Sequence, residues 1–97
     1  MMIKANNIEG KYLEYKGLPL VRQDNELYYG DMAQNYYLFL MIMNYKEEPK
    51  LKVQIPDMVM IQIVNKESGL PEKQGSAKGL YAAFDLGTAW LERYNRA

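Results

Sequence analysis

Along most of this chain apolar residues recur at every second position in short runs cut by turn residues. Toward the C-terminus the spacing changes to that of a helix. Lys11-Tyr12-Leu13-Glu14-Tyr15 is aromatic-rich and stops at Lys16-Gly17, a turn signal. Leu18-Pro19-Leu20-Val21-Arg22 follows, and its proline suits an edge strand or a strand start because it cannot donate to a ladder. Gln23-Asp24-Asn25 makes the next turn, since Asp and Asn tolerate positive φ and bond their own backbone. Glu26-Leu27-Tyr28-Tyr29 is a short strand ended by Gly30-Asp31. Together these segments predict a small meander.

Residues 35–45 give the strongest strand; a helix of the same length competes on periodicity, and the aromatic-rich start and flanking turn residues favour the strand. One alternating set is Tyr36, Leu38, Leu40 and Ile42, the other Tyr37, Phe39, Met41 and Met43. Both sets are apolar, so both faces of this strand are expected to be covered. Which set meets the helix is left open, because a slip of one residue exchanges them. After the polar turn Lys46-Glu47-Glu48-Pro49, Leu51, Val53 and Ile55 alternate with Lys50, Lys52 and Gln54, which predicts a strand with one buried and one wet face. Pro56-Asp57 breaks it. Residues 58–64 give the last strand, with Val59, Ile61 and Ile63 on one side and Met58, Met60, Gln62 and Val64 on the other. Residues 66–76, rich in Gly, Pro, Ser and charge, are read as a loop.

Leu80, Ala83, Phe84, Gly87, Trp90, Leu91 and Tyr94 fall within about 120° of a helical wheel, while Asp85, Thr88, Glu92 and Arg93 lie outside that arc. A helix over residues 77–95 follows, with Ser76 as N-cap and Gly87 as a point of close approach to the sheet. Trp90, Leu91, Phe84 and Leu80 are expected to anchor it on Leu38, Leu40, Ile42, Val59, Ile61 and Ile63. With no earlier helix to serve as a crossover, the fold class is α+β: a mostly antiparallel meander of about five or six strands with one C-terminal helix across a face. Residues 1–97 make a single domain, with 1–10 expected as a flexible N-terminus and 11–65 as the sheet.

Composition narrows the chemistry. Twelve basic and twelve acidic residues cancel, so no net field attracts nucleic acid or an anionic membrane, and neither is expected as a partner. The chain has no Cys and no His, which removes disulfides, thiol nucleophiles, the usual neutral-pH base and the commonest transition-metal ligands. Carboxylates remain, but Asp24, Glu26, Asp31, Asp57 and Asp85 sit beside turns or on the polar side of the helix. No calcium-loop spacing occurs. No catalytic residue, metal site or cofactor is expected, and the chain reads as a non-enzyme. The N-terminus lacks the apolar stretch of a signal peptide, and the longest apolar run, residues 36–43, is far shorter than the ~20 residues of a spanning helix, so a cytoplasmic location is expected.

The stretches Tyr15-Lys16-Gly17-Leu18-Pro19-Leu20-Val21-Arg22, Tyr28-Tyr29-Gly30-Asp31 and Gly79-Leu80-Tyr81-Ala82-Ala83-Phe84-Asp85-Leu86-Gly87-Thr88-Ala89-Trp90-Leu91-Glu92-Arg93 resemble a group of small, uncharacterised bacterial proteins of similar length. The resemblance covers most of the chain from Lys11 onward. It implies a free-standing bacterial cytoplasmic protein and carries no functional residues to transfer.

Two features stand out as candidate sites. Tyr and Met are abundant, and Tyr37, Phe39, Met41, Met43, Tyr45, Met58 and Met60 would gather on the sheet face that a single helix leaves uncovered. Three readings of that face stay open: it is internal, covered by a curled sheet or by the N-terminal meander; it is the candidate interface, for a homodimer or for a protein partner; or it is a groove for a peptide or small ligand. The Gly-rich approach to the helix, with Gly75, Ser76 and Lys78, is a candidate anion site, because helix N-termini present free N–H groups. It lacks the Gly-Lys-Ser/Thr of a phosphate loop. A small aromatic–basic cluster, Tyr15 with Lys16 and Arg22, is explained by surface cation–π contact alone.

Overall fold

The computed structural model describes residues 11–96; the expectation for residues 1–10 lies outside them. Strands β1 (Lys11–Tyr15), β2 (Leu18–Gln23), β3 (Glu26–Tyr29) and β4 (Tyr36–Ile42) follow one another as antiparallel neighbours. The chain leaves as a hairpin, β5 (Tyr45–Glu48) and β6 (Val53–Pro56), then re-enters as β7 (Met58–Asn65) against β4. Strand β8 (Pro71–Lys78) pairs with β7, and helix α1 (Leu80–Arg96) closes the fold. The result is a six-stranded antiparallel sheet, β1-β2-β3-β4-β7-β8, with a separate two-stranded sheet. The expected α+β meander and its C-terminal helix are thus present.

The turns follow local chemistry. Lys16 and Gly17 both have positive φ, 52° and 79°, the backbone that suits a two-residue hairpin loop. Pro19 lies in an interior strand rather than at an edge. Its carbonyl accepts from the Gly30 N–H, so the donor it lacks would face Gly30, just past the end of β3, and the ladder loses only that terminal bond.

The helix lies on one side of the sheet, over β4, β7 and β8. Leu38, Leu40, Ile42, Val59, Ile61 and Ile63 form the sheet side of the core, each at most 3% exposed. Each such side chain contributes roughly 1.5–3 kcal/mol by leaving water. From the helix Ala83, Gly87 and Leu91 are buried, with Leu80, Phe84, Trp90 and Tyr94 packed around them. Phe84 sits edge-on to both Tyr15 and Tyr29, at 4.9 and 5.0 Å, joining β1 and β3 to the helix. At the other end the Asn95 amide accepts from the Tyr36 N–H and donates to the Tyr36 carbonyl. Beyond the end of β3, this side chain stands in for a neighbouring strand.

Three expectations are corrected. Residues 66–76 are not one loop: after a turn, β8 starts at Pro71. Its composition misleads because it is an edge strand, with Glu72, Lys73 and Gln74 in water and a bulge opposite Ile63/Val64 that absorbs the proline. The helix starts at Leu80 rather than residue 77, and Gly79 (φ 91°), not Ser76, takes the N-cap place, its carbonyl accepting from the Ala83 N–H. The alternation of Leu51, Val53 and Ile55 does not bury a face. Leu51 and Val53 are 68% and 47% exposed, because among the described residues β6 pairs with β5 alone.

Candidate functional site

Pairing registers carry the two faces of the sheet across all its strands. Leu20, Leu27, Leu38, Leu40, Ile61 and Ile63 share the helix side. Their sequence neighbours therefore point the other way. On that second face Val21 lies opposite Tyr28, Tyr28 opposite Phe39, and Phe39 opposite Gln62. In the next row Glu26, Met41, Met60 and Ser76 stand side by side. Tyr37 extends the face at one end, beside Val64, which is buried, and Met58 and Lys78 extend it at the other. The helix, the described element that packs across the sheet, is on the opposite side.

This open face is apolar at its centre. Tyr37, Phe39, Met41 and Met60 are half-buried by their lateral neighbours, and Val21 is 38% exposed. Tyr28 is tilted against Phe39 at 5.2 Å and Tyr37 at 6.3 Å, spacings that favour ordered aromatic packing. The Tyr28 hydroxyl donates to Glu26 Oε1 at 2.8 Å. That bond, reinforced by burial, holds the Tyr28 hydroxyl above its ordinary pKa of 10.0. On the far flank Gln62 donates to Gln74, and Ser76 and Lys78 are exposed. Glu14 and Glu26 flank the face on the β1–β3 side, Lys78 on the β8 side.

Of the residues predicted for an interface, Tyr37, Phe39, Met41, Met58 and Met60 come together here. Met43 follows the end of β4, its N–H bonded to the Met58 carbonyl, and is 57% exposed. Tyr45 departs into β5, where its hydroxyl donates to Asn25 Oδ1 at 2.7 Å and accepts from Arg22 at 3.5 Å. Sequence reasoning missed Val21 and Tyr28, while Gln62 was placed beside Met58 and Met60 but not counted toward the interface. The alternation Glu26, Leu27, Tyr28, Tyr29 held the signal for Tyr28, since Tyr29 lies in the core and Glu26 does not.

The predicted anion residues are not assembled at the helix entry. Gly75 faces the helix, under Trp90, while Ser76 and Lys78 stand in an extended strand on the opposite face. Of the aromatic–basic cluster, Lys16 does lie over the Tyr15 ring, at 5.4 Å, while Arg22 bonds the Asp24 carbonyl.

A cleft of 530 Å³ runs beside the helix over the uncovered β1–β3 part of the core side. Leu18, Tyr29 and Leu91 line it, with Lys16, Asp31, Asp85, Glu92 and Arg96. Several of its polar groups are already engaged: Tyr29 donates to the Tyr15 carbonyl, Asp31 accepts from the Ala33 N–H, and Glu92 pairs with Arg96 at 3.9 Å. Among the described residues no buried side-chain polar atom lacks a partner, and no three acidic residues cluster as metal ligands do. No described helix is long and apolar enough to cross a membrane. The chain matches no protein-family model, no curated protein and no solved structure.

Proposed function

We propose that this chain acts without catalysis, as an association module whose open sheet face docks against a protein surface. The observation that carries this reading is the continuous apolar centre of that face, Tyr28, Tyr37, Phe39, Met41 and Met60, on the side away from the helix. Contiguous apolar surface of this kind marks interaction sites in soluble proteins. Tyr and Met also suit interfaces, the one amphipathic and rigid, the other adaptable. An acidic flank beside the aromatic residues repels phosphate, which favours protein over nucleic acid as the thing bound. The bacterial and cytoplasmic setting implied by the sequence resemblance is compatible with such a role and forms part of the proposal.

The test is Met41→Lys. If the face is a docking surface, the ammonium can stay in water and the variant melts cooperatively within a few degrees of the parent, while any association is lost. Cooperative folding would be followed by far-ultraviolet circular dichroism. A Met41→Lys chain that no longer folds would place Met41 in a core and remove the reading.

A further inference from the structure

We infer that the occupant of the open face is a second copy of this chain, packed face to face about a two-fold axis that runs along the strands over the β4–β7 seam. The inference rests on the association reading and adds the partner and the geometry. The argument is one of charge. The apolar rows of β4 and β7, Phe39 and Met41 beside Met60, lie either side of that seam. One strand further out on each side the face becomes charged, with Glu26 on β3 and Lys78 on β8. A two-fold along the seam carries β3 of one copy over β8 of the other, so each Glu26 meets the second copy's Lys78, twice per dimer. A two-fold across the strands would instead set acid over acid and base over base. Glu26 is in register with Ser76, and Lys78 is two residues further along, about 7 Å. Two sheets about 10 Å apart leave a gap that a Glu and a Lys side chain span together. Under the same rotation β4 falls on β7, so Met41 meets the second copy's Met60 while Phe39 meets its Gln62, and such isologous pairing is how most homodimers form.

The test is light scattering on a sizing column, with the full chain over a wide range of concentration, at low and high salt. The expected result is a mass that rises from 11.3 kDa to twice that value with concentration. Glu26→Lys and Lys78→Glu should each weaken dimerisation about tenfold, and the double exchange should recover most of it. Lys78 is exposed, so Lys78→Glu keeps the test valid even if Glu26→Lys, which also loses the Tyr28 bond, folds poorly. A dimer abolished by Met41→Lys but not recovered by the double exchange overturns this axis and leaves the docking face standing. A parent that stays monomeric throughout, with a folded Met41→Lys, overturns the second copy as occupant and leaves another protein. A dimer indifferent to Met41→Lys overturns the inference and moves the association off this face altogether.

Discussion

Gly87 sits where a single methyl group decides how closely helix and sheet approach. A Cβ there would lie 2.6 Å from Leu38 Cδ1 and 3.2 Å from Ile61 Cγ2, and neither side chain has room to swing because both are fully buried. Overpacking of this kind costs about 1–3 kcal/mol, against roughly 1 kcal/mol that alanine returns in a helix. Gly87→Ala should therefore lower stability by up to about 2 kcal/mol, seen as a lower urea midpoint at unchanged slope. A gain in stability would show that the close approach is not why glycine stands there. Gly75 is the milder counterpart. Its added Cβ would meet the ring tip of Trp90 at 2.7 Å, but that ring is half-buried and can tilt. The role of Gly87 was legible in the sequence because it lies within a helical apolar stripe. That of Gly75 was not, since nothing local announces that Trp90, fifteen positions on, will lie over it.

The β5–β6 hairpin belongs to the sheet only by connection. β4 and β7 are already antiparallel neighbours, and their ladder runs on past Ile42: Met43 donates to the Met58 carbonyl and Asp57 to the Asn44 carbonyl. Replacing residues 45–56 with Asn-Gly should close β4 to β7 through a two-residue turn and leave the six-stranded sheet intact. The shortened chain should unfold in one transition close to the parent's. A molten product would mean that the Tyr45 bonds to Asn25 and Arg22 hold the β2–β3 turn in place. Element by element, strands with apolar alternation were readable wherever a layer covers them, as in β4 and β7. The same alternation misled at Leu51 and Val53, where tertiary structure supplies no cover, and polarity misled at β8, whose neighbour supplies the ladder its own composition does not suggest. The open face was readable on β4 and β7, but its extension to Tyr28 and Val21 needed registers that only the folded sheet displays.

Across the whole molecule, stability toward alkali should depend on tyrosine. Burial raises the Tyr29 hydroxyl above its ordinary 10.0, with Tyr15 adding to the effect, and hydrogen bonds to Glu26 and Glu72 do the same for Tyr28 and Tyr36. A raised pKa means that the folded chain holds the proton more tightly than the unfolded one. The contribution is whole below about pH 10 and lost as the pH climbs through the raised values. Stability measured by urea unfolding should be level through neutrality and fall above about pH 10. Tyr29→Phe should lose about 1 kcal/mol at neutral pH, the worth of its bond to the Tyr15 carbonyl, and decline less steeply in alkali. An unchanged alkaline slope would show that the Tyr29 proton is not what the fold retains.

The two-sided hydrophobicity of β4 has one more consequence. Burying Leu38, Leu40 and Ile42 or burying Tyr37, Phe39 and Met41 would satisfy the hydrophobic effect almost equally, so the strand carries no instruction about which way to face. The instruction is one of shape, held in the notch that Gly87 opens for Leu38. That notch is encoded after the eight described strands. A chain emerging in order can form its sheet early, yet it learns which side is inside only when the helix, made after those strands, arrives.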